Sequence, residues 1–270
     1  MSCTVGYDTV LLNVSIPPTF NPARLVLRTP LIPSIDPRTA SSTSTGSASG
    51  SKGRILQMWK LTVGPYDEAT VKGTGQRSAY GFSNATASLF PKGVVLGIAP
   101  NSLGALSHTA LSLAPPSAFS PSLLVLDAAK SPKPPFPLKR GLVGQLTRAG
   151  MRVEISYRAM LSAGDFAPRG NSTNSSGGES GLYSDNVGER RRFWIGHARE
   201  IVRIAGAENV VLCSGARKPA EMRAPVDMAN LCALLGLTMH QANKTMSEAP
   251  QHVIVRTGEL LALHFSVTSR

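Results

Sequence analysis

The residues best able to do chemistry in this sequence are cations. In SGARKPAEMRAPVDMANLCALLG (214–236), Arg217, Lys218 and Arg223 stand beside Glu221 and Asp227, between an apolar run and a leucine-rich segment. Guanidinium and ammonium groups gathered on one loop suit the binding of phosphate or carboxylate, an arginine often bidentately. The two acids either orient these cations or neutralise them. The loop is therefore either a braced basic surface or a capped turn with an internal ion-pair network. A second group, Arg190, Arg191 and Arg192 in GERRRFW (188–194), opens a helix. Cations there oppose the helix macrodipole, which implies a compensating partner such as phosphate. Farther along the same helix, Arg199 and Arg203 share a face with Arg192, opposite Trp194, Ala198, Ile201, Val202 and Ala205. Trp194 is assigned to the core by this spacing.

Groups for covalent or metal chemistry do not assemble at the level of sequence. The histidines form no HxH, HxxxH or HExxH pair, the three cysteines no CxxC, and Ser214-Gly215 lacks the first glycine of a GxSxG turn. GTG at 73–75 lacks the flanks of a dinucleotide-binding turn. No catalytic residue, metal ligand or protein-bound cofactor is expected. Net charge is +12, which favours an anionic partner, with nucleic acid or an acidic membrane surface the usual candidates. Three cysteines without paired spacing fit a reducing compartment. Neither a signal peptide nor an apolar run of membrane-spanning length is expected.

The elements that must position these cations read as α/β. Near-continuous apolar runs at 9–16, 54–63, 93–99, 122–128, 151–157, 209–214 and 252–256 predict seven strands buried on both faces, as in a parallel sheet. Helices are predicted at 139–149, 187–205, 225–235 and 238–248, and after Gly258. Pro225 suits the first position of its helix and Asp227 the first turn. Ser214 to Pro225 then joins a strand's C-terminal end to a helix, the edge of an α/β sheet where ligands bind. Residues 33–53 and 162–186, rich in Ser, Thr and Gly, predict disordered inserts within a single domain spanning 5–266.

The 214–236 segment resembles the signature of the thirty-kilodalton protein subunit family of ribonuclease P and ribonuclease MRP. Ser214, Gly215, Ala216, Pro219, Glu221, Arg223, Pro225, Asp227, Asn230, Leu231, Leu235 and Gly236 carry the likeness. MRVEISYRAML (151–161), the run from RRRFW to LCSG, SPKPPFPLKRG (131–141) and HVIVRTGE (252–259) are similar to the family's flanking segments in the same order. The resemblance covers 130–260 strongly and 5–128 in order. It implies a TIM-barrel-like parallel barrel. The barrel is expected to lack the family's first strand and helix, because VGYDTVLLNVS, similar to its second strand, starts at residue 5. It also implies a non-catalytic, RNA-binding subunit of a nuclear, nucleolar particle that removes 5′ leaders from precursor tRNA. The particle's RNA, with Mg²⁺, would do the cleavage, and a small RRM-like companion would pair with this chain. Arg190, Arg191, Arg192, Lys218 and Arg223, then Arg199 and Arg203, are the expected RNA or partner contacts. Ser214, Pro219, Glu221, Pro225, Asp227 and Asn230 are expected to set the shape of the loop and of the helix after it. The rival classes are a metal-dependent phosphoesterase on a similar barrel and a general protein-interaction module.

Overall fold

The computed structural model describes residues 6–21, 24–28, 30–38, 55–65, 80–81, 87, 89–91, 93–114, 120–128, 136–161 and 187–268. Among the described residues, six strands form one sheet: β1 (Thr9–Ile16), β2 (Leu56–Val63), β3 (Val95–Ile98), β4 (Leu123–Leu126), β5 (Arg152–Ser156) and β6 (Val210–Cys213). They lie in chain order, and every neighbouring pair is parallel. The sheet curls into part of a barrel, an incomplete relative of the eight-stranded TIM architecture.

The helices are α1 (Leu103–His108), α2 (Arg140–Arg148), α3 (Arg158–Leu161), α4 (Val187–Ala205), α5 (Pro225–Leu234), α6 (Met239–Met246) and α7 (Glu248–Thr268). α1 runs on into a π-helical turn at Thr109–Leu113. Thr238 caps α6 with a full capping box to Gln241, satisfying backbone groups that a bare helix start would leave open.

Because strand side chains alternate, the sheet has two different faces. Outward Leu124, Leu126, Val153, Ile155, Val210 and Leu212 share one core with Trp194, Ala198 and Ile201 of α4 and with Met228, Leu231 and Cys232 of α5. On the inner face, Val95, Leu123 and Val211 meet Ala249 and Val253 of α7. Leu11, Met58 and Val125 pack against this cluster, and other inward positions are polar. Asn13 accepts from Thr62 at 2.7 Å, and Lys60 Nζ meets Glu154 Oε1 at 2.5 Å with both side chains buried. The Cys213 thiol donates to the same Glu154 oxygen at 3.0 Å.

Six strand predictions hold to within a few residues; the seventh does not. HVIVR lies inside α7, which runs through Gly258 without a break. Its β-branched residues favour strand only weakly, and tertiary packing overrides them. Ala249, Val253 and Thr257 recur every four residues and form one buried helical stripe, with Thr257 Oγ1 donating to the Val253 carbonyl. A second correction concerns 33–38, assigned to the first insert. These residues form a largely exposed 3₁₀ turn at Pro33–Ile35 followed by a buried Asp36. The Asp36 carboxylate accepts from Arg38 at 2.9 and 2.8 Å and from the Gln57 amide at 3.1 Å. The hydrogen-bonded Arg38 guanidinium holds that carboxyl well below the usual range. Residues 39–53 and 162–186 lie outside the described residues.

Candidate nucleic-acid interface

β5 and β6 end side by side, and the site grows from those two ends. Past β5, Tyr157 donates its amide to the Cys213 carbonyl at 3.0 Å, and α3 begins at Arg158. Past β6, Gly215 turns the chain with φ +58°, a left-handed conformation that strains any side chain. A Cβ there would sit 2.0 Å from Ser156 Oγ, so the site needs glycine twice over. Gly215→Ala is expected to lower the unfolding free energy by about 1–3 kcal/mol. Urea unfolding at constant m-value measures this.

The rest of the loop is tied inward. Ser214 Oγ accepts from the Ala216 amide at 3.3 Å. Glu221 Oε2 accepts from the Arg217 amide at 2.7 Å and from Arg158 Nε at 3.1 Å, in an ion pair whose side chains are 5% and 11% exposed. The Arg223 amide donates to the Tyr157 hydroxyl at 3.2 Å. Pro219 opens a 3₁₀ turn ending at Glu221, and Pro225 opens α5. Gly6, just before β1, lies against Pro225. The 214–225 loop thus holds an internal ion-pair network and, beside it, exposed cations. The internal network binds Glu221 through backbone and a buried arginine, while Arg217, Lys218 and Arg223 are exposed. The Arg223 guanidinium also donates to the Ala220 carbonyl at 2.8 Å, which holds its stem along the turn.

α3 carries the second cationic segment as well. Arg191 Nε, in the first turns of α4, donates to the Met160 carbonyl at 3.0 Å. Arg191 and Arg192 are exposed, so both basic segments meet around one four-residue helix at the strands' C-terminal ends. Arg190 departs from the expectation. It is 8% exposed and stands among the buried residues, because its position on α4 is one turn ahead of Trp194. Arg199 and Arg203 are exposed but lie about 12 and 18 Å along the helix from Arg191, too far to share a loop with it. Arg203 is held by Glu200 through two bonds of 2.8 and 2.7 Å. Asp227 and Asn230 are exposed on α5, so neither locks the turn from within. Arg158 is the residue that sequence reasoning missed. Its one signal was a cation placed directly after a buried strand, with an acid available in the next strand's loop.

Burial pushes the Cys213 thiol well up, reinforced by the Glu154 charge, and pushes the Cys232 thiol up too. Burial also raises the Tyr157 phenol, and takes Tyr7 up to about 12 with help from Tyr157 and Asp227. A raised folded value means that the unfolded chain loses its proton first. This contribution is fully present below an unfolded thiol value of about 8.5 and is lost as pH rises above it. The urea midpoint is expected to fall steadily from pH 8 to pH 10.5. A flat profile would show that these groups are solvated.

Among the described residues, no three His, Cys, Asp or Glu side chains are grouped as a metal ion would require. No described helix is long and apolar enough to cross a membrane.

Residues 100–260, which include α3, α4, the 214–225 loop and α5, match the family described as RNase P subunit p30. A segment of 79 residues is 34% identical to the mouse ribonuclease P protein subunit p30, covering 29% of this chain and 29% of the mouse protein. With three-fifths of its length matched, including both basic segments and the buried bonds that place them, the chain belongs to the RNase P subunit p30 family.

Proposed function

We propose that this chain is a non-catalytic protein subunit of ribonuclease P, shared with ribonuclease MRP, that grips the particle's RNA. The observation that carries this reading is the convergence of Arg191, Arg192, Arg217, Lys218 and Arg223 around α3 in a chain of net charge +12. Phosphate contact is the chemistry that such a surface performs, and it needs no protein-borne nucleophile. The RNA, with its Mg²⁺, would cleave the 5′ leader of precursor tRNA, and other subunits, a small RRM-like one among them, would share the particle. A nuclear, nucleolar location follows from that assignment.

Affinity purification from cells tests the reading, with the particle's RNA expected in the eluate. Hydrolysis of a tRNA precursor by the RNA-free protein, supplemented with Zn²⁺ or Mn²⁺, would favour the phosphoesterase class instead. Filter binding across a salt series should give a log K that falls linearly with log salt, by about 0.7–0.9 per phosphate contact. Arg191→Glu with Arg192→Glu is expected to weaken binding at least tenfold at 0.15 M salt with the fold retained, since both side chains are exposed. Unchanged affinity would remove the start of α4 from the interface.

A further inference from the structure

We propose that Arg158, which lies outside both basic segments, is a positioning residue for RNA contact. Through Glu221 it sets the conformation in which Arg217, Lys218 and Arg223 meet a phosphodiester backbone. The inference rests on the proposed function and adds a residue that phosphate never touches.

Arg158 is 4% exposed, so it cannot itself offer a guanidinium to RNA. Its Nε holds Glu221 Oε2 at 3.1 Å, and that oxygen also receives the Arg217 amide at 2.7 Å. One carboxylate oxygen thereby ties a buried cation to the backbone of the first exposed one. The next residue back, Tyr157, is 2% exposed and takes the amide of Arg223 at 3.2 Å. The loop's first and last cations are therefore anchored to consecutive buried residues of the same strand exit. The 3₁₀ turn at Pro219–Glu221 fixes the span between them. Such a loop meets its ligand already ordered, and the entropy of fixing it is not charged to binding. Arg158 also begins α3, the helix whose Met160 carbonyl holds Arg191. The same element thus sets the spacing between the two basic segments.

A purely structural role for the ion pair predicts loss of stability without any change in how RNA is held. The two roles separate in the variant Arg158→Met with Glu221→Leu. Replacing both members of a buried pair by apolar groups of similar size commonly keeps the fold, while here it removes the bond to the Arg217 amide. The probe is a labelled transcript of the cognate ribonuclease P RNA, titrated with the full chain from 0.05 to 0.3 M salt. The variant is expected to bind about tenfold more weakly at 0.15 M salt. Its salt slope should be shallower by roughly 1.5–2.5, equivalent to two or three lost phosphate contacts. The cycle is completed with Arg217→Ala, Lys218→Ala and Arg223→Ala, alone and combined with the pair replacement. If Arg158 acts through these cations, the pair replacement adds nothing once they are gone. Additive losses, or a folded pair variant with wild-type affinity and slope, overturn the proposal. Should the apolar pair not fold, Glu221→Gln, which keeps the side-chain shape, is carried through the same cycle and read the same way. Salt-independent binding by the wild-type chain would instead sink the proposed function, which keeps the two failures distinct.

Discussion

Trp194→Ala is expected to lower the unfolding free energy by about 3–5 kcal/mol, the usual range for truncating a buried indole. Trp194 has no exposed surface and packs where α4 meets the outer face of the sheet. Its Nε1–H donates to the Ser156 carbonyl at 2.7 Å, so truncation leaves both a cavity and an orphaned acceptor. Against a total stability of about 5–15 kcal/mol for an ordinary domain, that loss brings the chain close to unfolding at 37 °C. Trp194→Phe separates the two contributions. It keeps most of the buried area and loses only the hydrogen bond, for a change of about 1–3 kcal/mol. Urea titrations followed by circular dichroism measure both. If the alanine variant loses less than about 1 kcal/mol, the indole is not in the core.

The second large effect lies on the inner face. Lys60→Met leaves Glu154 as a buried charge without its cation, and Glu154→Leu does the same to Lys60. Each single change is expected to destabilise by about 3–5 kcal/mol. The double replacement is expected to be near neutral, because two desolvated charges vanish together and the β2 to β5 contact becomes apolar. A double-mutant cycle in urea reports the coupling as the failure of the single effects to add. Additive single effects would mean that the pair is solvated and contributes little.

Much of the architecture was legible because it is periodic. The apolar runs that became β1 to β6 are near-continuous and short, a pattern that reads as strand from the local sequence. α4, nineteen residues long, was readable to the residue, since Trp194, Ala198, Ile201 and Ala205 repeat at helical spacing along it. HVIVR was not, because five residues are too few to separate a strand from a helix by period. The deciding partners, Ala249 and Thr257, stand outside the run. In the site, Pro219 and Pro225 announced the shape of the loop and the start of its helix, and Arg191, Arg192, Lys218 and Arg223 announced an exposed charge. Arg190 looked the same in sequence as its two neighbours but fell on the buried side of α4, a difference of one helical step.

The sequence by itself determined the α/β class, the phase of the long helix, the basic character of the surface and the loop that carries the signature. Each of these follows from residues close together in the chain, where spacing and side-chain type are sufficient. Tertiary structure alone decided that Glu221 would serve Arg158, that Lys60 would cross the inner face to Glu154, and that α7 would lie over that face. The Arg158–Glu221 and Lys60–Glu154 contacts join residues 63 and 94 positions apart, and the place of α7 depends on which face a curled sheet presents. No local pattern encodes them, because they are selected by the free energy of burying charged and apolar groups together.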